Sequence, residues 1–299
     1  MRDISSAREL AEGRGSAAAF RRIVVGFNER PASRDAVVLA KALSDPDRTD
    51  LIVASVRPYW PDLLGREGYR NVVAEDEAWL SRETEKAVGS RPFSTRVVAG
   101  GHESGGLKEV AAAEGADLIV VGSTHRGLLG RVMPGTVGER VLDNAPCAVA
   151  VAPLGLAEQG LEISTIAVAF DGSNEASVAL HLGFELAAQA GARLLVLGAV
   201  DLNPDLSGLQ TVSPELLDEA RMQRHLGEAQ KGAPEGVSVE TRLLHGAPNH
   251  VLPQAAEAAD LLILGSRGHY GRARRLFMGS VATQVTRHAP CATLITPSA

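Results

Sequence analysis

The chain carries little sulfur and few aromatic rings: two cysteines, and 4% Phe, Trp and Tyr, in 299 residues. Two cysteines exclude a disulfide scaffold and a four-cysteine zinc site. No stretch approaches the ~20 uninterrupted apolar residues that a membrane span requires. The longest runs, such as Leu118 to Val121, are strand-sized and stand beside glycine. Basic charge is also in short supply. With 30 Lys and Arg against 36 Asp and Glu, the formal charge is −6, which excludes a chain-wide basic surface for nucleic acid. Residues 1–20 mix Arg, Asp and Glu without an apolar core, so they read as a short flexible tail and not as a secretory leader. The expectation is a cytoplasmic protein with neither membrane nor nucleic-acid partner. Gly-x-Ser-x-Gly, Walker A and His-Glu-x-x-His signatures are missing too, which removes the elbow-hydrolase, P-loop and zinc-protease readings.

What is present is a chain written twice. Ala116-Asp-Leu-Ile-Val-Val-Gly-Ser123 returns as Ala259-Asp-Leu-Leu-Ile-Leu-Gly-Ser266, and Ala145-Pro146-Cys147 returns as Ala289-Pro290-Cys291, at offsets of 143 and 144. Ile23 to Asn28 matches Ile166 to Asp171 at 143. So steady an offset marks duplication of a whole domain, because solenoids repeat every 20–50 residues. The domains read as 21–153 and 162–299, joined by a linker over 154–161 where apolar periodicity stops.

Within each half, short apolar runs alternate with helical patterns. Candidate strands are Arg22–Phe27, Leu51–Val56, Ser94–Ala99, Leu118–Gly122 and Ala148–Ala152, then Thr165–Phe170, Arg193–Ala199, Ser238–Leu244, Leu261–Gly265 and Ala292–Thr296. The spacing over Ser177–Ala190 predicts a helix. Continuous apolar strands separated by helices predict an α/β fold: two tandem Rossmann-like domains, each a five-stranded parallel sheet covered on both faces. Such sheets bind ligands at the carboxyl ends of their strands.

The informative residues fall there. After the fourth strand of the second half come Gly265-Ser-Arg-Gly268, Gly271 and Gly279-Ser280, with Arg267, His269, Arg272, Arg274 and Arg275 in the same loop. Glycines let backbone approach a ligand, Ser280 is placed to cap the next helix, and a helix start attracts phosphate. The first half repeats the plan with Gly122-Ser-Thr-His125, Gly127, Gly130 and Gly135-Thr136, plus Arg126 and Arg131. Tight turning alone would also explain the glycines; recurrence with arginines favours anion binding. After the first strand the second half has Asp171-Gly172-Ser173, either a helix cap or a contact for ribose or a metal-bound phosphate. The first half has Asn28-Glu29-Arg30 there.

Together these parts resemble the universal stress proteins in their tandem, two-domain form, from about Arg22 onward. Nucleotide-binding members carry Gly, two residues, Gly, nine residues, then Gly-Ser or Gly-Thr; the Ala-Pro-Cys segments and the Gly246-Ala-Pro248 turn are similar to that family as well. The resemblance implies an ATP-binding stress-response protein of the adenine nucleotide alpha-hydrolase-like fold. Loop glycines and the helix-start hydroxyl would hold phosphates, the first-strand acid the ribose, and backbone after the second strand the adenine. The matching positions are Asp171, Ala199, Gly265, Gly268, Gly279, Ser280 and Val281, with Arg267 in the loop, and Asn28, Val56, Gly122, His125, Gly135, Thr136 and Val137. Departures favour the second half. Ten residues separate Gly268 from Gly279, which a loop absorbs, whereas the first half has His125 for the second glycine and Asn28 for the acid. The resemblance further implies last strands that meet within one chain as a pseudo-dimer, with a homodimer or an unknown protein partner also open. No nucleophile with a neighbouring base is visible, so no efficient catalysis is expected; Mg²⁺ on Asp171 would give slow hydrolysis at most. A nucleotide-independent interaction module is the alternative.

Blander roles remain for the rest. His245 and His250 lack zinc-ligand partners and read as ordinary loop residues, Cys147 and Cys291 as reduced and buried, and Trp60 and Trp79 as packing or partner-surface residues.

Overall fold

Apolar runs become strands here because helices bury both of their faces. The computed structural model describes residues 18–57, 61–99, 102–123, 125–126, 132–133, 136–201, 214–266, 276 and 279–297; most of the expected tail and Trp60 lie outside them. The first half runs β1 (Arg22–Gly26), α1 (Ala32–Leu43), β2 (Asp50–Arg57), α2 (Pro61–Val88), β3 (Ser94–Ala99), α3 (Glu103–Glu114), β4 (Leu118–Gly122), a small ribbon of β5 (His125–Arg126) and β6 (Val132–Met133), α4 (Thr136–Leu142) and β7 (Ala148–Ala152). A short α5 (Leu156–Gln159) follows. The second half runs β8 (Thr165–Ala169), α6 (Asn174–Ala190), β9 (Arg193–Val200), α7 (Pro214–Lys231), β10 (Val239–His245), α8 (Pro248–Ala255), β11 (Leu261–Gly265), α9 (Ser280–His288) and β12 (Ala292–Thr296).

The strand order is β10-β9-β8-β11-β12-β7-β4-β1-β2-β3. Every neighbouring pair is parallel except β12 and β7, which run antiparallel with Leu294 opposite Ala150. The last strands thus meet inside one chain. The two five-stranded halves are not separate sandwiches, however: they are one continuous ten-stranded sheet. Pairing the last strands satisfies two edges that would otherwise be exposed.

Strand alternation sends side chains to two layers. Ile23, Val25, Ile166, Val168, Ala150 and Leu294 belong to one core that passes beneath both halves, under α1, α2, α6 and α7. The opposite face carries two separate cores. Leu276 crosses between them. It precedes α9 of the second half, yet it is fully buried in the first half's core, and its N–H donates to the Ala145 carbonyl at 3.0 Å. Arg287 of α9 also pairs with Glu139 of α4 at 2.9 Å.

The linker is docked as well. Asp35 on α1 is buried, and its carboxylate accepts from the Gly155 N–H at 3.0 Å and the Ala157 N–H at 2.7 Å. That caps α5, whose first residue Leu156 joins the shared core.

Candidate functional site

Parallel strands end at a common rim, and the turn after β1 is where the chain first reaches it. The Asn28 side-chain oxygen accepts from the Arg30 N–H at 2.9 Å and from Ser33 Oγ at 2.8 Å. With its oxygen used twice, the amide presents its nitrogen outward, and Nδ2 donates to Glu103 Oε1 at 3.5 Å. Glu103 is the first residue of α3, where the positive end of the helix dipole favours an acid. Asn28 and Glu103 face a small open cleft shared with Val56, Leu107, Gly122 and Val137. β1 lies between β2 and β4, so the crossovers leave it in opposite directions. The cleft occupies this switch point, the expected ligand position in a doubly wound sheet.

In the second half the equivalent turn keeps its acid. Asp171 is exposed, and its Oδ1 accepts from the Ser173 N–H at 2.9 Å. Ser173 caps α6, its Oγ accepting from the Ala176 N–H at 3.2 Å. The cap role thus falls mainly to Ser173, and the second oxygen of Asp171 has no partner among the described residues. Gly172 between them has φ +79°, and a Cβ there would meet the His225 ring at 2.7 Å.

The two strand-end glycines have a different reason from the one expected. A Cβ on Gly122 would come within 1.9 Å of the Ala32 carbonyl oxygen, and one on Gly265 within 2.7 Å of Glu175 backbone. Both are glycine so that the first turn of α1 or α6, the helix that follows the neighbouring strand β1 or β8, packs on the strand end. Their backbone remains at the rim, and Gly122 lines the cleft. Immediately after Gly265, Ser266 is fully buried and its Oγ has no hydrogen-bond partner among the described residues.

At the start of α9 the flanking residue is Gly279, with φ −70°, ψ 161° and no side-chain cap. Ser280 is therefore the first helical residue, and the expectation that it caps α9 is corrected. A cap must stand one position earlier with extended backbone, and a glycine occupies that place. The first amides of α9 are left without a side-chain cap among the described residues. Ala199 and Val281 each pack against the second half's core, and Val56 and Val137 line the first-half cleft. Thr136 is the first residue of α4, and His125 pairs with Met133 in the ribbon; the expected meeting of its side chain with phosphate lies outside the described residues. So do Arg267, Gly268 and Gly135.

Sequence reasoning missed Glu103, because an acid in a first helical turn is ordinary and only the fold aims it at Asn28. It also missed the polar cluster beside Trp79. Arg57 lies over the Trp79 ring at 4.8 Å, pairing with Glu29 and Asp76 at 3.3 Å each, and Phe27 packs against the same ring. His245 ends β10 beside Glu219, and His250 lies on α8, so neither is a loop residue. Among the described residues no group of three or more His, Cys, Asp or Glu is arranged to hold a metal, and no helix is long and apolar enough to cross a membrane. Cys147 and Cys291 are free and buried. Burial, aided by Asp117 and Asp260, pushes both thiols up to about 12, so they are protonated at neutral pH.

Two doubly wound α/β halves, each with its turn acid or amide at the strand-end rim, define a duplicated doubly wound fold. Its lineage follows from comparison with known proteins. The model of the universal stress protein family matches residues 19–153 and again 162–297, and the chain belongs to that family in tandem form. A universal stress protein of Mycobacterium tuberculosis is 26% identical over 297 residues, spanning 92% of this chain and 99% of that one. A single-domain-length relative from Thermus aquaticus is 36% identical over 139 residues, 44% of this chain and 96% of the relative. Among solved structures, a universal stress protein from Archaeoglobus fulgidus superposes with a TM-score of 0.65 at 17% identity, covering 93% of this chain and 99% of that one. That likeness concerns the fold alone.

Proposed function

We propose that the chain binds an adenine nucleotide, ATP, as a regulatory ligand at its strand-end rims, with the acid-bearing second half as the main site. The observation that carries this reading is the first-half cleft, where Asn28, Val56, Gly122 and Val137, named from separate segments of sequence, line one space at the switch point. The second half repeats the plan with Asp171, Ala199, Gly265 and Val281. Three of its groups fit a phosphorylated ligand: the amides at the start of α9, which have no side-chain cap among the described residues, the buried Ser266 hydroxyl, without a partner among them, and the outward oxygen of Asp171. Apolar Ala199 and Val281 suit a base. Asp171 is the residue that would hold Mg²⁺ if the nucleotide brings it, and the ion would there neutralise phosphate charge.

Turnover is not part of the proposal. Nucleophilic catalysis needs a side chain activated by a neighbouring base, and both cysteines are buried as thiols.

Calorimetric titration of ATP into the wild type, Gly279→Trp and Gly135→Trp tests the assignment. Gly279 has extended backbone that any residue adopts, so Trp adds bulk in front of the α9 amides without backbone strain. Gly279→Trp is expected to remove the stronger binding event, while Gly135→Trp leaves it. The reverse pattern would overturn the assignment to the second half. Heat in none of the three would leave the nucleotide-independent interaction module as the better reading.

A further inference from the structure

The two candidate sites lie in different halves, yet the helices beside them grip each other. Leu276 stands three residues before Gly279, in the segment that leads into α9. Its side chain is fully buried in the first half's core with Val141, Leu142 and Ala145. Backbone bonds hold this seat in both directions: the Leu276 N–H donates to the Ala145 carbonyl at 3.0 Å, and the Asn144 N–H donates to the Leu276 carbonyl at 2.9 Å. Asn144, just after α4, has φ +63° and is the only non-glycine among the described residues in the left-handed region. Asn adopts that conformation at some cost, so release of Leu276 would let the turn relax.

The grip is reciprocal. β6, which precedes α4, packs against α9. Arg287 of α9 reaches Glu139 Oε1 on α4 with Nε at 3.0 Å and Nη2 at 2.9 Å. From α4 the contacts run on to the first-half cleft. Val137 lines that cleft, and Lys108, next to the cleft residue Leu107, donates to the Arg140 and Asp143 carbonyls at 3.0 and 2.9 Å. At the other end, Val281 in the first turn of α9 packs on the second half's core beside the second candidate site.

Packed contacts of this kind hold discrete arrangements and do not deform smoothly. A ligand shifts a protein toward the arrangement that it binds better. With Leu276 seated, α4 sets Val137 in the wall of one cleft and α9 opens at the rim of the other half. A ligand at either rim favours that one arrangement, so each ligand favours the other, and reciprocally. Resting on the adenine-nucleotide reading above, we propose that the two rims are positively coupled through the α4–α9 contact, with Leu276 as the seat and Glu139–Arg287 as a second clasp. Neither Glu139 nor Arg287 lines the first-half cleft, and a half-exposed ion pair adds little to stability. Changing their charges therefore acts on coupling apart from ligand contact.

The experiment titrates ATP calorimetrically into the full chain as wild type, as Arg287→Glu, and as the exchanged pair Glu139→Arg with Arg287→Glu. Arg287→Glu sets two carboxylates face to face. It is expected to weaken the weaker event, that of the first half, by about fivefold or more, the lower end of typical coupling between sites. The exchanged pair should recover it, which excludes simple misfolding of the single variant. Hydrogen exchange reads the seat itself: ATP at a concentration that fills only the stronger site should slow exchange of the Asn144 and Leu276 amides. A single binding event in wild type would overturn the coupling alone. So would unchanged affinity in Arg287→Glu, no recovery in the exchanged pair, or Asn144 and Leu276 exchange that bound ATP leaves unaltered. No heat in wild type would overturn the nucleotide reading and the coupling with it.

Discussion

Residues of one type do unlike work in this chain, and their surroundings decide which. Gly122 and Gly265 lack a Cβ because a helix turn occupies its place, whereas Gly279 has ordinary extended backbone and leaves the start of α9 open. The cysteines illustrate burial more simply. Both thiols rise to about 12 when folded, against about 8.5 in an unfolded chain. A raised pKa means that the folded state holds the proton more tightly, so the stabilisation is complete below about pH 8.5 and is lost as pH climbs toward 12. Urea unfolding at pH 7 and pH 10 should therefore show a smaller alkaline loss in Cys147→Ala/Cys291→Ala than in wild type. The difference in slope approaches about 1.4 kcal/mol per pH unit for each thiol. Parallel losses in the two proteins would contradict the burial argument.

Elements were legible where their cause was local. The ten strands of the main sheet fall within one or two residues of their sequence-derived bounds; the inner strands are mostly buried and read as apolar runs, while the edge strands β3 and β10 are half-exposed and mix polar with apolar residues. Long-range contacts leave no such trace. α5 lies where the sequence suggested only a linker, and what orders it is Asp35, about 120 residues away in the chain. The Glu103–Asn28 contact was hidden for the same reason, since 75 residues separate the partners. Removing the Asp35 carboxylate leaves two amide donors at the start of α5 unpaired. Asp35→Ala is expected to destabilise the protein by about 2–3 kcal/mol, the range for hydrogen bonds to a charged group, as read from denaturant midpoints. Asp35→Asn, which keeps an acceptor oxygen, should lose less. A change below about 0.5 kcal/mol in Asp35→Ala, typical of a surface substitution, would show that α5 holds itself.

At the scale of the whole molecule, duplication produced one body. β7 and β12 join the two sheets, a single core passes beneath both halves, and Leu276 and Arg287 carry the segments around the second candidate loop onto the first half. The halves share this frame but differ at their rims, with Asp171 in one and Asn28 beside Glu103 in the other. The most direct test of nucleotide binding is equilibrium dialysis of the full chain against radiolabelled ATP, with an equal concentration of an unrelated anionic sugar phosphate as competitor. The account predicts saturable retention of ATP, with a Kd below about 1 mM, that the competitor does not displace. Retention that fails to saturate, or that the competitor removes, would contradict it.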